Sequence, residues 1–315
     1  MNLHEVHEAW KRLETVACVT PLLQSKFNPH IYLKTENLQI TGSFKIRAAY
    51  NQIIQLGQKE RDQGIVTSSS GNFAQAVAYA SRLQGISAKI VMMKNSNPLK
   101  IEATRKWGGE VVFCENHFDA RTQTVEQIQK EEGRSTVYPY DHQAAVYGNA
   151  TIGLEILEQL DTLENLVVPI SGGGLISGMA LAIKERKPSV KVWGIQPRGS
   201  NSTYLSYQGK KPVSVEQADT VADGLTVTRP GVLTFPLILR YVDGVEMVEE
   251  DSILYSVGHL LFEEKLVVEP SGAVTLAAVL EEKVPIHNTV LVLSGGNVNQ
   301  EVMSRALNVF SKGRS

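Results

Sequence analysis

"NLVVPISGGGLISGMALAIKERKP", residues 165 to 188, carries the pattern of an α/β fold within one stretch. The run NLVVPI (165 to 170) is continuously apolar and β-branched, which suits a strand buried on both faces of a parallel sheet. Three glycines follow, Gly172, Gly173 and Gly174. LISGMALAIKER then repeats its apolar residues at helical spacing until Pro188 stops it. Strand, tight turn and helix in that order predict an α/β chain with parallel sheets flanked by helices.

The same alternation recurs outward from this stretch. IYLKTE (31 to 36), GIVTSS (64 to 69), AKIVMM (88 to 93) and EVVFCE (110 to 115) read as strands. So do KVWGIQP (191 to 197), VEMV (245 to 248) and TVLVLS (289 to 294), with room for helices between them. The length of 315 residues suits two closely packed lobes. No linker or repeat separates two halves, so a second lobe is expected as an insertion.

Composition narrows the class. Hydrophobic residues make up 43%, charged residues 20%, and the net charge is −2. Without a basic run, neither nucleic acid nor a membrane surface is an expected partner. No apolar run approaches the roughly 20 residues that span a bilayer. MNLHEVHEAWKRLE at the start reads as a polar amphipathic helix without an apolar signal core. Cys18 and Cys114 lie too far apart to make a disulfide framework. A cytoplasmic enzyme is the expectation.

Three turns after predicted strands are built to receive a polar or anionic group. In VTSSSGNFAQ, Ser68, Ser69, Ser70, Gly71 and Asn72 stand between a strand and a helix, more than an N-cap requires. The triplet 172–174 suits close approach of a bulky anion to the main chain. LVLSGGNVN places Ser294 at a strand end, where parallel strands open onto a common crevice.

A dinucleotide site fits poorly. Starting G-x-G-x-x-G at Gly172 puts Ser177 in the last place, and Gln196 stands where a ribose-binding carboxylate belongs. No Walker lysine follows the glycines, and no His/Cys/Glu cluster has zinc spacing. The seven histidines are scattered, Ser43-Phe44-Lys45 misses the Ser-x-x-Lys spacing, and no G-x-S-x-G elbow is present.

TGSFKIRAAY (41 to 50) completes the set. Gly42 and Ser43 predict a turn and a helix cap, which puts Lys45 in the first helical turn. That is the less favourable end of the helix dipole for a cation, and alone it reads as a surface lysine. Beside a phosphate-sized turn, a carboxylate-sized turn and Ser294, it becomes a candidate reactive amine. Pyridoxal phosphate needs a lysine, a phosphate site and a partner for its ring nitrogen.

KTENLQITGSFKIRAA, SSGNFAQAVA, SGGGLISG, TVADGLTVTRPG and LSGGNVN resemble, in order, the motifs of the serine/threonine dehydratase family. These are pyridoxal-phosphate enzymes of the tryptophan-synthase-β type, fold type II, and they include serine racemases. The resemblance covers about residues 15 to 300. It implies that Lys45 forms the Schiff base with the cofactor, with Phe44 packed beside it. Asn72 would contact the cofactor's 3′-oxygen, Ser294 its ring nitrogen, and Gly172, Gly173, Gly174 and Leu175 its phosphate. Ser69, Ser70 and Gly71, with Asn72, would bind the substrate carboxylate. Asp219 and Asp223 fall near acidic residues that bind a divalent or monovalent cation in some members, although solvated surface carboxylates read equally well there.

The implied architecture is a large cofactor-binding domain (1–50 and 142–315) with a small mobile domain (51–141), the cofactor lying in the cleft. The implied activity is β-elimination on L-threonine, L-serine or a related β-hydroxy amino acid, giving a 2-oxo acid and ammonia, with Lys45 as general base. The protein would be a homo-oligomer, dimer or tetramer. Serine racemisation with Ser70 as the second acid/base, or an inactive binding protein, are the alternatives; the TRPG of residues 228 to 231 looks more like the dehydratase version. Phe73, Ala48, Ser171 and Asn299 depart from the usual family residues; Phe73 and Ser171 fall beside the expected site, so a substrate preference shifted toward a different β-hydroxy amino acid is the expectation from them. No regulatory domain follows the last motif in this sequence, so feedback control is not expected.

Overall fold

The computed structural model describes residues 1–313, and among these ten strands form two separate sheets. They are β1 (Leu22–Gln24), β2 (Ile31–Lys34), β3 (Ile65–Ser68), β4 (Ala88–Met93) and β5 (Glu110–Cys114). β6 (Ser135–Thr136), β7 (Asn165–Pro169), β8 (Lys191–Pro197), β9 (Gly244–Val248) and β10 (Thr289–Val292) follow. The larger sheet has the order β1-β2-β10-β7-β8-β9, and the smaller one β5-β4-β3-β6. Every pairing is parallel except β1 with β2. All eight strands expected from the sequence are present. β1 and β6, three and two residues long, are too short to leave a sequence pattern.

Continuous apolar strands are buried on both faces, as their composition requires. Val290 and Val292 pack with Ile152, Met179 and Ile183 in one core. Their neighbours Leu291 and Leu293 pack with Ile253, Val274 and Ala306 in another. The smaller sheet is split the same way: Val91 joins Cys114 and Ile128, while Ile90 and Met92 join Ala74 and Ala78. The amphipathic N-terminal helix, Leu3–Leu13, buries Val6 and Ala9 in the first core of the large sheet.

The helix Lys45–Ile53 runs unbroken past residue 50, where the domain boundary was expected. Its Ile46, Ala49 and Ile53 share a core with Phe73, Val77 and Ala80 of the helix Asn72–Leu83, which follows β3. One helix therefore ties Lys45 to the body of the smaller sheet. The strand ends of both sheets open onto one cavity of about 910 Å³.

Candidate active site

The local fold around Lys45 differs from the expected cap. Phe44, in helical conformation, is the N-cap and offers no side-chain bond, while Gly42 takes a left-handed φ of 72°. Ser43 instead pairs its backbone with Gly295, and its buried hydroxyl has no partner. Phe44 accordingly receives its backbone bond from β10's end, with its N–H donating to Ser294 O at 3.1 Å. The start of the helix is thus held against the Ser294 turn by main-chain bonds, which fixes Lys45 at the cavity wall.

Lys45 Nζ lies 4.7 Å from the centre of the Phe44 ring and 3.4 Å from Pro139 O. Burial pulls its pKa down from the usual lysine range to about 8, against the raising effect of Glu269. The amine is therefore partly neutral, and nucleophilic, only a little above neutral pH.

The glycine turn has two reasons to be glycine. Gly173 adopts φ 95°, a conformation that disfavours any side chain. Gly172 and Gly174 are needed because Tyr140 packs on them: a Cβ on Gly172 would overlap the Tyr140 ring, and one on Gly174 would meet Tyr140 Cα and Cβ at 2.9 Å. The sequence argument invoked only an anion, so Tyr140 is an addition. Gly174 opens the helix Gly174–Arg186, whose first N–H groups have no intrahelical acceptor and suit a phosphate.

Each hydroxyl of the serine turn is engaged. Ser68 Oγ accepts from Arg121 Nε at 2.7 Å, Ser69 Oγ from the Gly71 N–H at 3.3 Å, and Ser70 Oγ from Ser96 Oγ at 2.8 Å. Burial lowers the Arg121 pKa. Ser294 is buried, with its hydroxyl 3.5 Å from Ser271 O.

The cavity brings together Phe44, Lys45, Ser69, Ser70, Gly71, Asn72, the triplet 172–174, Leu175 and Ser294. Those residues come from positions up to 250 apart in sequence, and the two parallel sheets converge them. The proposed cation ligands are not gathered in the same way. Asp223 lines the cavity but pairs with Lys100, and Asp219 is not part of the wall. Among the described residues no group of three or more His, Cys, Asp or Glu side chains is placed to hold a metal ion.

Sequence reasoning missed Glu269, Tyr140, Arg121, Lys100 and Ser96. Glu269 is the most consequential. It is buried, lines the cavity, and accepts from Asn72 Nδ2 at 2.6 Å. Burial, with Asp223 adding to it, pushes its pKa up to about 7. Among the departures, Phe73 packs in the core at 2% exposure and also lines the cavity, as does Ser171. Asn299 caps the helix Gln300–Lys312, accepting from Val302 N at 2.8 Å.

A partly neutral amine facing a glycine-headed helix start across a cavity of this volume fits an aldehyde cofactor that carries a phosphate. The class defined is that of fold type II pyridoxal-phosphate enzymes. A model of the pyridoxal-phosphate dependent enzyme family matches residues 13–295, and the chain belongs to that family. Its cofactor is pyridoxal 5′-phosphate. The L-threonine ammonia-lyase of Thermotoga maritima is 41% identical over 98% of this chain and 78% of its own. The serine racemase of Dictyostelium discoideum is 36% identical over 98% of each. The structure of maize serine racemase superposes with a TM-score of 0.93 at 33% identity, covering 99% of this chain and 98% of its own.

Proposed function

We propose that this protein is an ammonia-lyase that removes water and then ammonia from L-threonine, L-serine or a related β-hydroxy amino acid, leaving a 2-oxo acid. The observation that carries the reading is Lys45: an amine with its pKa brought down to about 8, in one cavity with the serine turn and the glycine-headed helix. The printed activity of the Thermotoga relative points the same way.

In this reading Lys45 Nζ holds the cofactor covalently. The N–H groups at Gly172, Gly173, Gly174 and Leu175 hold its phosphate, with Phe44, Asn72 and Ser294 along its ring. Pyridoxal phosphate, when bound, supplies an electron sink for the pair left at Cα once its proton is removed. Ser69, Ser70, Gly71 and Asn72 bind the substrate carboxylate through hydroxyl and backbone N–H donors at the start of a helix. With cofactor and substrate bound, the Lys45 amine would act as the base that takes the Cα proton. A pKa near 8 makes it a base that is neutral for a useful fraction of the time near neutral pH. Residues 51–141 act as a small mobile domain whose closure brings the serine turn over the substrate and excludes water.

Racemisation of serine is the second reading, and Ser70 favours it. Its hydroxyl lies on the cavity wall, 2.8 Å from Ser96 Oγ, where it could serve as a proton donor to Cα. The free thiols of Cys18 and Cys114 support a cytoplasmic location. Exposed Val19, Leu38, Ile40 and Val267 support self-association as a homo-oligomer.

The test is direct. Purified protein is expected to be yellow, to bleach with borohydride, and to release 2-oxo acid from L-threonine and L-serine, all abolished in Lys45→Ala. D-serine in excess of pyruvate, by chiral analysis, would replace the lyase reading with the racemase one. A colourless protein indifferent to added pyridoxal phosphate would end both.

A further inference from the structure

Asn72 is gripped on both sides. Its Oδ1 accepts from Asn297 Nδ2 at 2.8 Å, and the same Asn297 nitrogen donates to Thr41 O at 2.9 Å. Its Nδ2 donates to Glu269 Oε1 at 2.6 Å. A carboxamide nitrogen carries two protons, so one remains for the cavity that Asn72 lines. Flipping the carboxamide would set its oxygen against the Glu269 carboxyl and its nitrogen against a donor. The chain Asn297–Asn72–Glu269 therefore permits one orientation only.

Glu269 is itself anchored. It stands at 3% exposure immediately before the helix Pro270–Leu280, and its backbone N–H donates to Gly295 O at 3.0 Å. A Cβ on Gly295 would overlap Glu269 Oε1, so the glycine beside Ser294 makes room for this carboxyl. Three charged groups act on it: Asp223, Lys100 and Lys45.

We propose that Glu269 is a positioning residue: its carboxyl locks the Asn72 side chain so that an N–H faces the cofactor. The proposal rests on the reading of this cavity as the pyridoxal-phosphate site.

The experiment follows capture of pyridoxal phosphate by the cofactor-stripped protein, read by absorbance, with the dissociation constant of each variant. In Glu269→Ala, which leaves Asn72 without its acceptor, cofactor affinity is expected to fall about tenfold. In Glu269→Gln, which keeps an acceptor for Asn72, affinity is expected to stay near wild type. Unchanged affinity in Glu269→Ala, or a loss in Glu269→Gln as large as in Glu269→Ala, overturns the proposal. Capture that survives Lys45→Ala would overturn the reading of the cavity itself, and the proposal with it.

Discussion

Arg47 donates two parallel hydrogen bonds to Glu36, from Nε to Oε2 at 2.9 Å and from Nη2 to Oε1 at 2.8 Å. The pair is fully buried, two residues along the helix from Lys45. Arg47 Nη1 also bonds Glu155 Oε1 at 2.5 Å, and the other Glu155 oxygen receives Lys34 Nζ at 2.6 Å. Two cations and two anions thus form one buried, balanced network that ties the helix Lys45–Ile53 to β2 and to the helix Gln143–Gln159. Burial alone would raise the Glu36 pKa, but Arg47 and Lys34 pull it below the usual carboxylate value.

Removing one member leaves an uncompensated charge in the core. Arg47→Met is expected to lower stability by about 3–5 kcal/mol, because a buried pair broken on one side leaves its partner unsolvated. Thermal unfolding at neutral pH checks it. A loss below about 1 kcal/mol would mean that water reaches the network.

Gly172→Ala tests the contact with Tyr140. Gly172 has no left-handed φ, so the added methyl acts by overlap with the Tyr140 ring rather than by backbone strain. Overpacking of this kind costs about 1–3 kcal/mol, and here it also shifts the glycine turn proposed to hold the phosphate. Pyridoxal-phosphate affinity is expected to fall in Gly172→Ala and to recover in part when Tyr140→Ala is added. Additive losses in the double variant would show that the two residues do not meet.

The strands and the three turns were legible because their signals are local: a buried strand, a helix start and a glycine triplet each occupy a few consecutive residues. Glu269 was not. In KLVVEPSGA it stands before a proline that opens a helix, and nothing nearby shows that its partner Asn72 lies 197 residues away. Tyr140 was hidden for the same reason, since the glycines it requires already had an explanation. Asp223 was found by motif, but only the fold places Lys100 against it. Chemistry made by convergence of distant side chains leaves no period in the sequence.

Stability should carry the mark of the two perturbed groups. Glu269 titrates at about 7 in the folded protein and near 4.5 in the unfolded chain. The folded state binds more protons between those values, so stability falls as pH rises through them. Lys45 titrates at about 8 when folded and near 10.5 when unfolded, so stability rises again as pH climbs from about 8 to 10.5. The charge penalty is therefore greatest between about 7 and 8. In cofactor-free protein Glu269→Gln is expected to be the more stable form at pH 7.5, by about 1–3 kcal/mol, and to lose that advantage at pH 4.5. Denaturant unfolding at the two pH values measures the difference, and an equal effect at both would exclude a titrating Glu269.

Ser294 should bias the reaction. In the proposed reading Ser294 meets the ring nitrogen of the cofactor, and a hydroxyl there would not hold a proton on it, so the electron sink would be weak and prompt loss of a β-hydroxyl favoured over longer-lived outcomes. Ser294→Asp is expected to slow 2-oxo acid release and to raise transamination, read as conversion of the cofactor to its amine form. An unchanged partition between products would remove the hydroxyl from the account.

Lys100 and Asp223 form an ion pair at the cavity, one from the helix Pro98–Lys106 beside the smaller sheet and the other from the 3-10 turn Asp223–Leu225, which follows the helix Ser202–Gly209. Asp223 is 54% exposed, so the pair adds only about 0–1 kcal/mol to folding and is weakened by salt. Both residues line the cavity, and in the proposed reading their bond would help hold the small domain closed over the substrate. Lys100→Met is expected to raise KM for the amino acid about two- to fivefold with little change in melting temperature, the size expected for one solvent-exposed contact. Added salt should raise the wild-type KM toward the variant's and leave the variant's unchanged. Asp223→Asn should behave like Lys100→Met. If Asp223→Asn also abolished activation by a cation that Lys100→Met retained, Asp223 would be acting as a cation ligand in solution rather than as the partner of Lys100.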